Sequence, residues 1–577
     1  MKLKRLEIEN FRAIQKCSIR FHELTAIVGE NNSGKTAILR ALNSFFNFED
    51  EKSDFENGMH RYAVKTTTKI TVTFEEVSGR FDDELINSNN ELRIQFVYSY
   101  GKTKAGRKLL SDINGTKKPL DSSIIDDIKK EIDFVYIPAS RSNKDIEWQE
   151  NSIFSKLIIR YLEDKTKNRD NLSQRVTMVG DRILDQTLNN LASDLTELNM
   201  YSDVGSYQIT FNQTVDYRIF LDKLGLEILS KDESKCLPAR EYGSGVKSLT
   251  VIALHRMLAN LNHVSIILGI EELGTNLHPQ AQRMLINSLK TSRQSCETQA
   301  IFATHSTVIV DALEHDDIVL VRRVKDPKRG FHSETAQISE TFWQDHNIQE
   351  QKHYNFFKYR NSDFFFARFV ILAESITDAQ VIEHMLKREL ANKMYYVSIV
   401  NLDGVKNIIY PFFLLNDLKI PFCAVVDKDF FTTYKNGKLD SSRNTTTYLP
   451  EYSGDITNNK VNNHLFPTEN ERDQLKYFLG QSYTMFFEYV KRFDLLPMAY
   501  CLEMDLISSN ETDRQKYYDH YHLEDSKREI KSLLIDRKDA IKDPTVLIPI
   551  FQALEPKEYP HSFKKIRKEL SDRIREL

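Results

Sequence analysis

Gly29-Glu-Asn-Asn-Ser-Gly-Lys-Thr36 follows the apolar run Leu24–Val28 and precedes a helical pattern over Ala37–Phe46. Strand, G-x-x-x-x-G-K-T and helix in that order form a phosphate loop. Gly29 and Gly34 let the backbone N–H groups around Asn31, Asn32 and Ser33 turn inward on a polyphosphate. Lys35 reaches the β/γ-phosphates, and the Thr36 hydroxyl is suited to ligate Mg²⁺. The helix that follows aims its positive dipole end at the same anion. The expected ligand is a nucleoside triphosphate, taken as ATP with Mg²⁺.

A phosphate loop needs an acid to help hold the metal and a group that orients or deprotonates the attacking water. Val264–Ile270 reads as a buried strand and ends in Glu271-Glu272, which meets that need. Glu271 is read as the metal-side acid and Glu272 as the base. Tyr242-Gly-Ser-Gly-Val-Lys-Ser248 opens the helix before that strand, and its small residues Ser244 and Gly245 make a second anion nest. His305 follows the apolar strand Ala300–Ala303 and is a candidate sensor of the γ-phosphate.

Working outward, Lys2–Ile8, Ser18–Phe21, Thr68–Phe74 and Leu92–Tyr98 alternate with period two and are expected as strands. Phe134–Ile137 is a short buried strand, Tyr207–Phe220 another strand, and Ser248–Leu261 a helix. Residues 145–200 are polar and helical in pattern, an inserted arm suited to dimerisation. Residues 323–366 are polar, aromatic-rich and poorly periodic, so the first domain is drawn over 1–345 and a linker over 346–367. A second domain spans 368–577, with strands Phe369–Ala373, Tyr395–Leu402 and Phe422–Val426 alternating with helices Asp378–Glu389 and Lys406–Leu418, which implies a parallel sheet. Residues 431–470 are expected as loop, and helices follow to Leu577.

The 577 residues carry 79 Lys and Arg against 83 Asp and Glu, a net charge of −4, so any nucleic-acid surface must be a local patch. Cys17, Cys236, Cys296, Cys423 and Cys501 contain no C-x-x-C pair, which argues against zinc and a disulfide framework and for a reducing, cytoplasmic setting. No apolar run approaches the length of a membrane span, and Met1-Lys-Leu-Lys-Arg5 begins no signal peptide.

The second domain has acids of its own. Glu374 follows Phe369–Ala373 directly, Asp378 begins the next helix, and Asp427-Lys-Asp429 ends Phe422–Val426. Carboxylates at the carboxyl ends of parallel strands form a hard-oxygen site for Mg²⁺ or Mn²⁺. Two such ions suit phosphodiester hydrolysis, one activating water and one stabilising the leaving 3′-oxygen.

Taken in order, Ile8-Glu-Asn-Phe-Arg12, the phosphate loop, the Gly-Ser-Gly turn, Glu271-Glu272 with Leu277-His278-Pro279, and Thr304-His305-Ser306 resemble ABC-type ATPases of the RecF and SMC kind. The resemblance implies that Arg12 lies near the phosphates and that Ser244 and Gly245 contact nucleotide across a dimer. Gln95 stands in for the family's Q-loop glutamine. Leu273 occupies a position where Pro is common, so ATP binding is expected and fast turnover is not. Glu374 followed by Asp-x-Asp resembles a TOPRIM domain, with Ser375 where Gly is usual.

The two together resemble the OLD (overcoming lysogenization defect) family of nucleases, which includes Gabija-type and retron-associated defence nucleases. Tyr136-Ile-Pro-Ala-Ser-Arg141 and Asn401-Leu-Asp-Gly-Val-Lys406 are similar to further family segments. Leu502-Glu503-Met-Asp505 resembles its later acidic motif, so Glu503 and Asp505 are expected at a second metal. Lys538 and Lys542 are the candidates for a late lysine at the scissile phosphate, with Lys542 preferred. The resemblance implies an α/β protein, an ABC-type ATPase followed by TOPRIM. Its expected activity is metal-dependent DNA endonuclease action coupled to ATP, in bacterial antiphage defence. A homo-oligomer (dimer or tetramer) is expected, with a helicase, or a reverse transcriptase with msDNA, as partner. The competing functions are an ATP-dependent DNA clamp or sensor and a recombinational-repair ATPase, each with a non-catalytic TOPRIM domain.

Overall fold

Period-two alternation in the first 28 residues folds into β1 (Lys2–Phe11), β2 (Ile14–Arg20) and β3 (Leu24–Val28). The structure is a computed structural model. It describes residues 1–57, 67–77, 79, 81–100, 106–113, 115–139, 152–163, 190–191, 193, 207–212, 225–230, 236–275, 277–291, 298–326, 330–348 and 362–577. Most of the expected arm at 145–200, the end of the Tyr207–Phe220 strand, Arg141 and much of the 346–367 linker lie outside these residues. The chain divides into Met1–Gln337 and Ile338–Leu577.

The first unit continues with β4 (Thr67–Glu75), β5 (Leu92–Ser99), β6 (Gly106–Ile113), β7 (Thr116–Leu120) and β8 (Ile132–Ile137). Next come β9 (Tyr207–Asn212), β10 (Gly225–Ser230) and β11 (Cys236–Pro238), which form a small antiparallel sheet. Four more strands follow, β12 (Ser265–Ile270), β13 (Thr298–Thr304), β14 (Ile318–Asp326) and β15 (Gly330–Ala336). Among the described residues, twelve strands join in the order β7-β6-β5-β4-β1-β2-β15-β14-β3-β13-β12-β8. Neighbours from β14 to β8 pair in parallel.

Alternate residues of the central strands feed opposite faces. Leu268, Ile270 and Phe302 join one core, while Ile27, Ile267 and Ile301 join the other. The helix Lys35–Phe46 covers the second face through Ile38, Leu42 and Phe45. Ser244–Asn262 covers the first through Leu249, Ile252 and Leu254. Burial on both faces is why these strands read as continuous apolar runs. The hairpin β14–β15 is a correction to the sequence reading, which found no period over residues 323–336. Beyond Val321 its residues are mostly polar, with Val324 and Phe331 the large apolar ones, so alternation is weak, and antiparallel pairing of the two strands holds it instead.

The second unit begins earlier than the expected boundary. The helix Phe342–Asp345 belongs to it, where Trp343 stacks on Tyr410 at 5.3 Å and His346 Nε2 meets Asp417 Oδ2 at 3.1 Å. Its sheet contains β16 (Phe369–Ala373), β17 (Val397–Asn401) and β18 (Phe422–Val426). After β18 the chain forms a hairpin of β19 (Thr432–Tyr434) and β20 (Tyr452–Ile456), then helices Lys460–Leu465 and Glu469–Leu479. This corrects the loop expected over 431–470, because Asn459 and the Thr468–Glu471 capping box start helices within a polar stretch. A short β21 (Leu495–Pro497) completes a parallel sheet ordered β17-β16-β18-β21. None of the described helices is long and apolar enough to cross a membrane.

Two candidate sites at strand ends

In the first unit the parallel register Ile270↔Phe302 and Thr304↔Val28 brings three strand ends to one edge. Gly29, Glu271 and His305 leave the sheet there, the crevice where ligands bind in parallel α/β sheets. Gly29 and Gly34 have φ of 149° and 111°. A Cβ on Gly29 would lie 2.1 Å from the Val321 carbonyl oxygen, and one on Gly34 2.4 Å from Ser333 Oγ. Ser333, on β15, donates its hydroxyl to the Ser33 carbonyl at 2.5 Å, so the unforeseen hairpin seats the loop. Asn31, Asn32 and Thr36 are exposed, and Ser33 is buried.

Lys35 is buried, with Nζ donating to the carbonyls of Gly29 at 3.0 Å and Glu30 at 2.8 Å. Burial pulls its pKa down to about 8, against the opposing pull of Glu272 and Glu30. His305 is driven to about 4 by burial and by Lys35, so it is neutral at pH 7. Its Nε2 lies 3.5 Å from Glu272 Oε1, a contact between a neutral ring and a carboxylate. Glu271 Oε2 accepts from the Ala139 N–H at 3.2 Å and stands beside the Tyr136 hydroxyl, which accounts for the Tyr136 segment quoted above.

Other expected residues have different surroundings. Arg12 pairs with Asp54 and with Glu51, on the helix Phe48–Glu56. Gln95 is not placed as a Q-loop residue. It is buried in β5, with its amide given to Thr71 at 2.9 Å and its carbonyl to Lys117 at 2.7 Å. Ser244 and Gly245 open their helix on the face of the sheet opposite the phosphate-loop helix.

In the second unit, Ala373↔Val425 and Val426↔Pro497 align three more strand ends. Glu374, Asp427 and Asp429 leave the sheet at this edge, and Glu503 arrives on the helix Leu502–Ser509 just after β21. Gly404, at φ 113°, allows the loop after β17 to donate its N–H to the Glu374 carbonyl at 2.8 Å. Burial, then Asp429, Asp378 and Glu503, pushes Glu374 up to about 7. Burial and the other four acids hold Asp427 well above the usual carboxylate range, and Asp429 is raised by burial as well. Glu374 Oε2 is buried with no hydrogen-bond partner. Lys542 Nζ lies 3.3 Å from Glu503 Oε1, whereas Lys538 pairs with Asp440 at 2.6 Å.

Hard oxygen donors, an orphaned carboxylate oxygen and acids whose pKa values are raised by burial and by one another fit a divalent cation. Among the described residues, no three His, Cys, Asp or Glu side chains gather into a closed coordination set.

Two acids expected as ligands have other duties. Asp378 forms a capping box with Ser375, accepting its N–H at 3.0 Å and hydroxyl at 2.5 Å. Ser375 in place of Gly therefore has a stated purpose, since only a hydroxyl at that N-cap can make the box. Asp505 accepts from the N–H groups of Ala499 and Tyr500, each at 2.8 Å, and from Ser562 Oγ at 2.5 Å. These three hydrogen bonds anchor the helix that carries Glu503.

Tyr434 escaped the sequence reading. From the hairpin after β18 its hydroxyl donates to Asp429 Oδ2 at 3.1 Å, and its ring stacks on Tyr452 at 5.3 Å. The ammonium of Lys428 lies 5.1 Å from the Tyr452 ring centre and 5.7 Å from that of Tyr500. No local pattern signals these contacts.

Fold and edges define a P-loop ATPase unit followed by a TOPRIM unit. Residues 1–131 and 113–310 match the AAA ATPase domain, and residues 365–429 match the overcoming lysogenization defect protein-like TOPRIM domain. The chain belongs to the OLD family, with the AAA ATPase domain ahead of the OLD-like TOPRIM domain.

It is 21% identical to Endonuclease GajA of Bacillus cereus (strain HuB5-5), over 78% of this chain and 76% of that one. It is 23% identical to OLD nuclease of Thermus scotoductus (strain ATCC 700910 / SA-01), over 74% of this chain and 82% of that one. Old nuclease of Escherichia phage P2 is also 23% identical, over 75% and 78%. Among solved structures, the SmcHead bound to the C-winged helix domain of ScpA aligns at 17% identity with a TM-score of 0.42, over 59% of this chain and 99% of that one.

Proposed function

We propose that the chain is a divalent-metal-dependent DNA endonuclease whose cutting is coupled to ATP binding and hydrolysis in its first unit. The observation that carries this reading is the group of acids at the TOPRIM edge, Glu374, Asp427, Asp429 and Glu503, with Lys542 beside them. The names of the three nuclease relatives support it. Mg²⁺ or Mn²⁺ held there would supply an activated water and charge neutralisation at the leaving 3′-oxygen. Glu374, Asp427, Asp429 and Glu503 would hold the ions, and Tyr434 orients Asp429. Lys542 contributes fixed positive charge toward the non-bridging oxygens as charge builds at phosphorus. Asp378 and Asp505 position the helices that bear on the site rather than bind metal.

In the first unit, the loop N–H groups, Lys35 and Thr36 bind the triphosphate with Mg²⁺. Glu271 supports the metal side, Glu272 orients or deprotonates water, and neutral His305 offers a hydrogen bond to the γ-phosphate. Ser244 and Gly245 open a helix on the far face of the sheet, which favours their contacting nucleotide across a two-fold assembly. Antiphage defence, a dimer or tetramer, and a helicase or reverse-transcriptase partner with msDNA are proposed on the family resemblance.

The test is supercoiled plasmid incubated with Mg²⁺ or Mn²⁺, with and without ATP, beside Asp427→Ala. Metal-dependent nicking or linearisation that the variant lacks is the expected result, and the ATP arms give the sign of coupling. ATP-dependent DNA retention without cleavage under any condition would replace the nuclease with a clamp.

A further inference from the structure

Glu272 has φ 49°, a left-handed backbone in a residue that is not glycine. Such a conformation persists only where its surroundings over-determine it. The turn after it is closed by Thr275, whose N–H and hydroxyl both donate to the Glu272 carbonyl, at 3.2 and 3.0 Å. Gly274 follows with φ 96°, and a Cβ there would meet Ile309 at 2.6 Å and Gln282 at 3.3 Å. The turn is thus pressed between the helix Pro279–Thr291 and the segment that follows His305.

One side chain joins these parts. Gln282 Nε2 donates to the carbonyls of Gly274 at 3.1 Å and Leu277 at 2.9 Å. Its Oε1 accepts from Ser306 Oγ at 2.5 Å. Ser306 is the neighbour of His305 and caps the helix that follows, accepting the Ile309 N–H at 3.3 Å. A parallel link runs through Leu273, whose N–H donates to the Ala303 carbonyl at 3.2 Å and whose carbonyl accepts from Thr304 Oγ1 at 3.3 Å. A backbone bond, the Thr304 hydroxyl and the Gln282 amide therefore tie the loop of Glu272 to the loop of His305.

We propose that Gln282 is a positioning residue for ATP hydrolysis, holding the strained Glu272 turn and the His305–Ser306 loop as one unit. The proposal rests on the ATPase reading of this edge. The hydrogen bonds of Gln282 go to Gly274, Leu277 and Ser306, none of them in the phosphate loop. Loss of the amide leaves the binding loop intact and frees Glu272 from its register with His305. Misplacement of a reacting group by an ångström lowers rates by roughly 10²-fold.

The experiment measures ATP turnover by the full chain, affinity for a fluorescent ATP analogue, and amide hydrogen exchange over the Glu272–Thr275 turn. The variants are Gln282→Leu, Gln282→Glu, Ser306→Ala and the Gln282→Leu/Ser306→Ala pair. Gln282→Leu is expected to lower kcat roughly 10²-fold with analogue affinity unchanged and faster exchange in the turn. Gln282→Glu keeps the acceptor for Ser306 and loses both donors, so it falls as well. Ser306→Ala falls less, and the double variant is no worse than Gln282→Leu, as a shared network requires.

Lost affinity at unchanged kcat, additive effects in the double variant, or unchanged exchange would each overturn the proposal. If Gln282→Leu fails to fold in a thermal melt, Gln282→Glu and Ser306→Ala carry the same test. A wild-type chain that does not hydrolyse ATP removes the ATPase reading and this proposal together. Wild-type hydrolysis matched by every variant removes this proposal alone.

Discussion

The phosphate-loop edge and the TOPRIM edge are electrostatic opposites built on the same plan. Each gathers loops at the carboxyl ends of parallel strands. The first buries a cation, Lys35, whose pKa is drawn down to about 8 by burial. The second buries anions, with Glu374 pushed up to about 7 and Asp427 raised further beyond its ordinary range. Both sites hold charge that the fold by itself does not stabilise. The sign of that charge gives the sign of the ligand: a polyphosphate at the first edge, a divalent cation at the second.

The strongest test of this contrast removes the central acid. Asp427→Asn is expected to lower DNA cleavage about 10²- to 10³-fold, the scale of losing a key electrostatic group. It should also raise the melting temperature of the metal-free chain, because it removes like-charge repulsion. Plasmid cleavage and a thermal melt in chelator check both halves, and a lowered melting temperature would break the comparison.

Lys35→Met makes the opposite change at the other edge. Losing charge-assisted hydrogen bonds is worth about 10- to 100-fold in nucleotide affinity. Metal-dependent binding of labelled ATP reads it directly. Stability without nucleotide should hold or rise, since the buried ammonium is gone.

A smaller effect is expected at Lys542, which is half exposed beside Glu503. Lys542→Met should lower kcat for cleavage roughly 10-fold, less than a buried donor would, with the metal requirement retained. Lys538→Met serves as the control, because that lysine pairs with Asp440.

The pH dependence of stability separates the edges most gently. An acid with a raised folded pKa favours folding while protonated, so the Glu374 contribution is full below 4.5 and lost as pH rises through about 7. Asp505, raised to about 6 by burial, acts in the same direction from 3.8 upward. Lys35 runs the other way: its contribution is full above 10.5 and lost as pH falls through about 8. In chelator, the carboxylate window should appear as a melting temperature that declines from pH 4.5 to 7. Added Mn²⁺ should restore stability above that window and have little effect below it. Equal stabilisation by Mn²⁺ at both ends would deny that the acids are its ligands.

Much of this contrast is legible in the chain itself, because the decisive residues are short-range. Gly29 to Thr36, Glu271-Glu272, Glu374 and Asp427-Lys-Asp429 each sit directly after an apolar run that can only be a buried strand. What escaped depends on distant partners. Asp505 reads as a metal ligand, and nothing in the sequence shows that Ser562 and two backbone N–H groups also bond to it. Asp378 reads the same way, and its capping box with Ser375 came only with the structure. Arg12 reads as a phosphate contact, and its pairing with Asp54 and Glu51 shows only in the structure.

Sequence by itself determined the two chemistries, since strand–loop–helix spacing places a backbone cradle or a carboxylate at a strand end whatever surrounds it. Tertiary structure alone decided which acids remain available, that Ser333 seats the phosphate loop, that Tyr434 steers Asp429, and that Gln282 joins two strand-end loops. Those choices turn on hydrogen bonds between residues far apart in the chain. Such bonds leave no periodicity to read, because each needs only one donor brought to one acceptor by the packing of other elements.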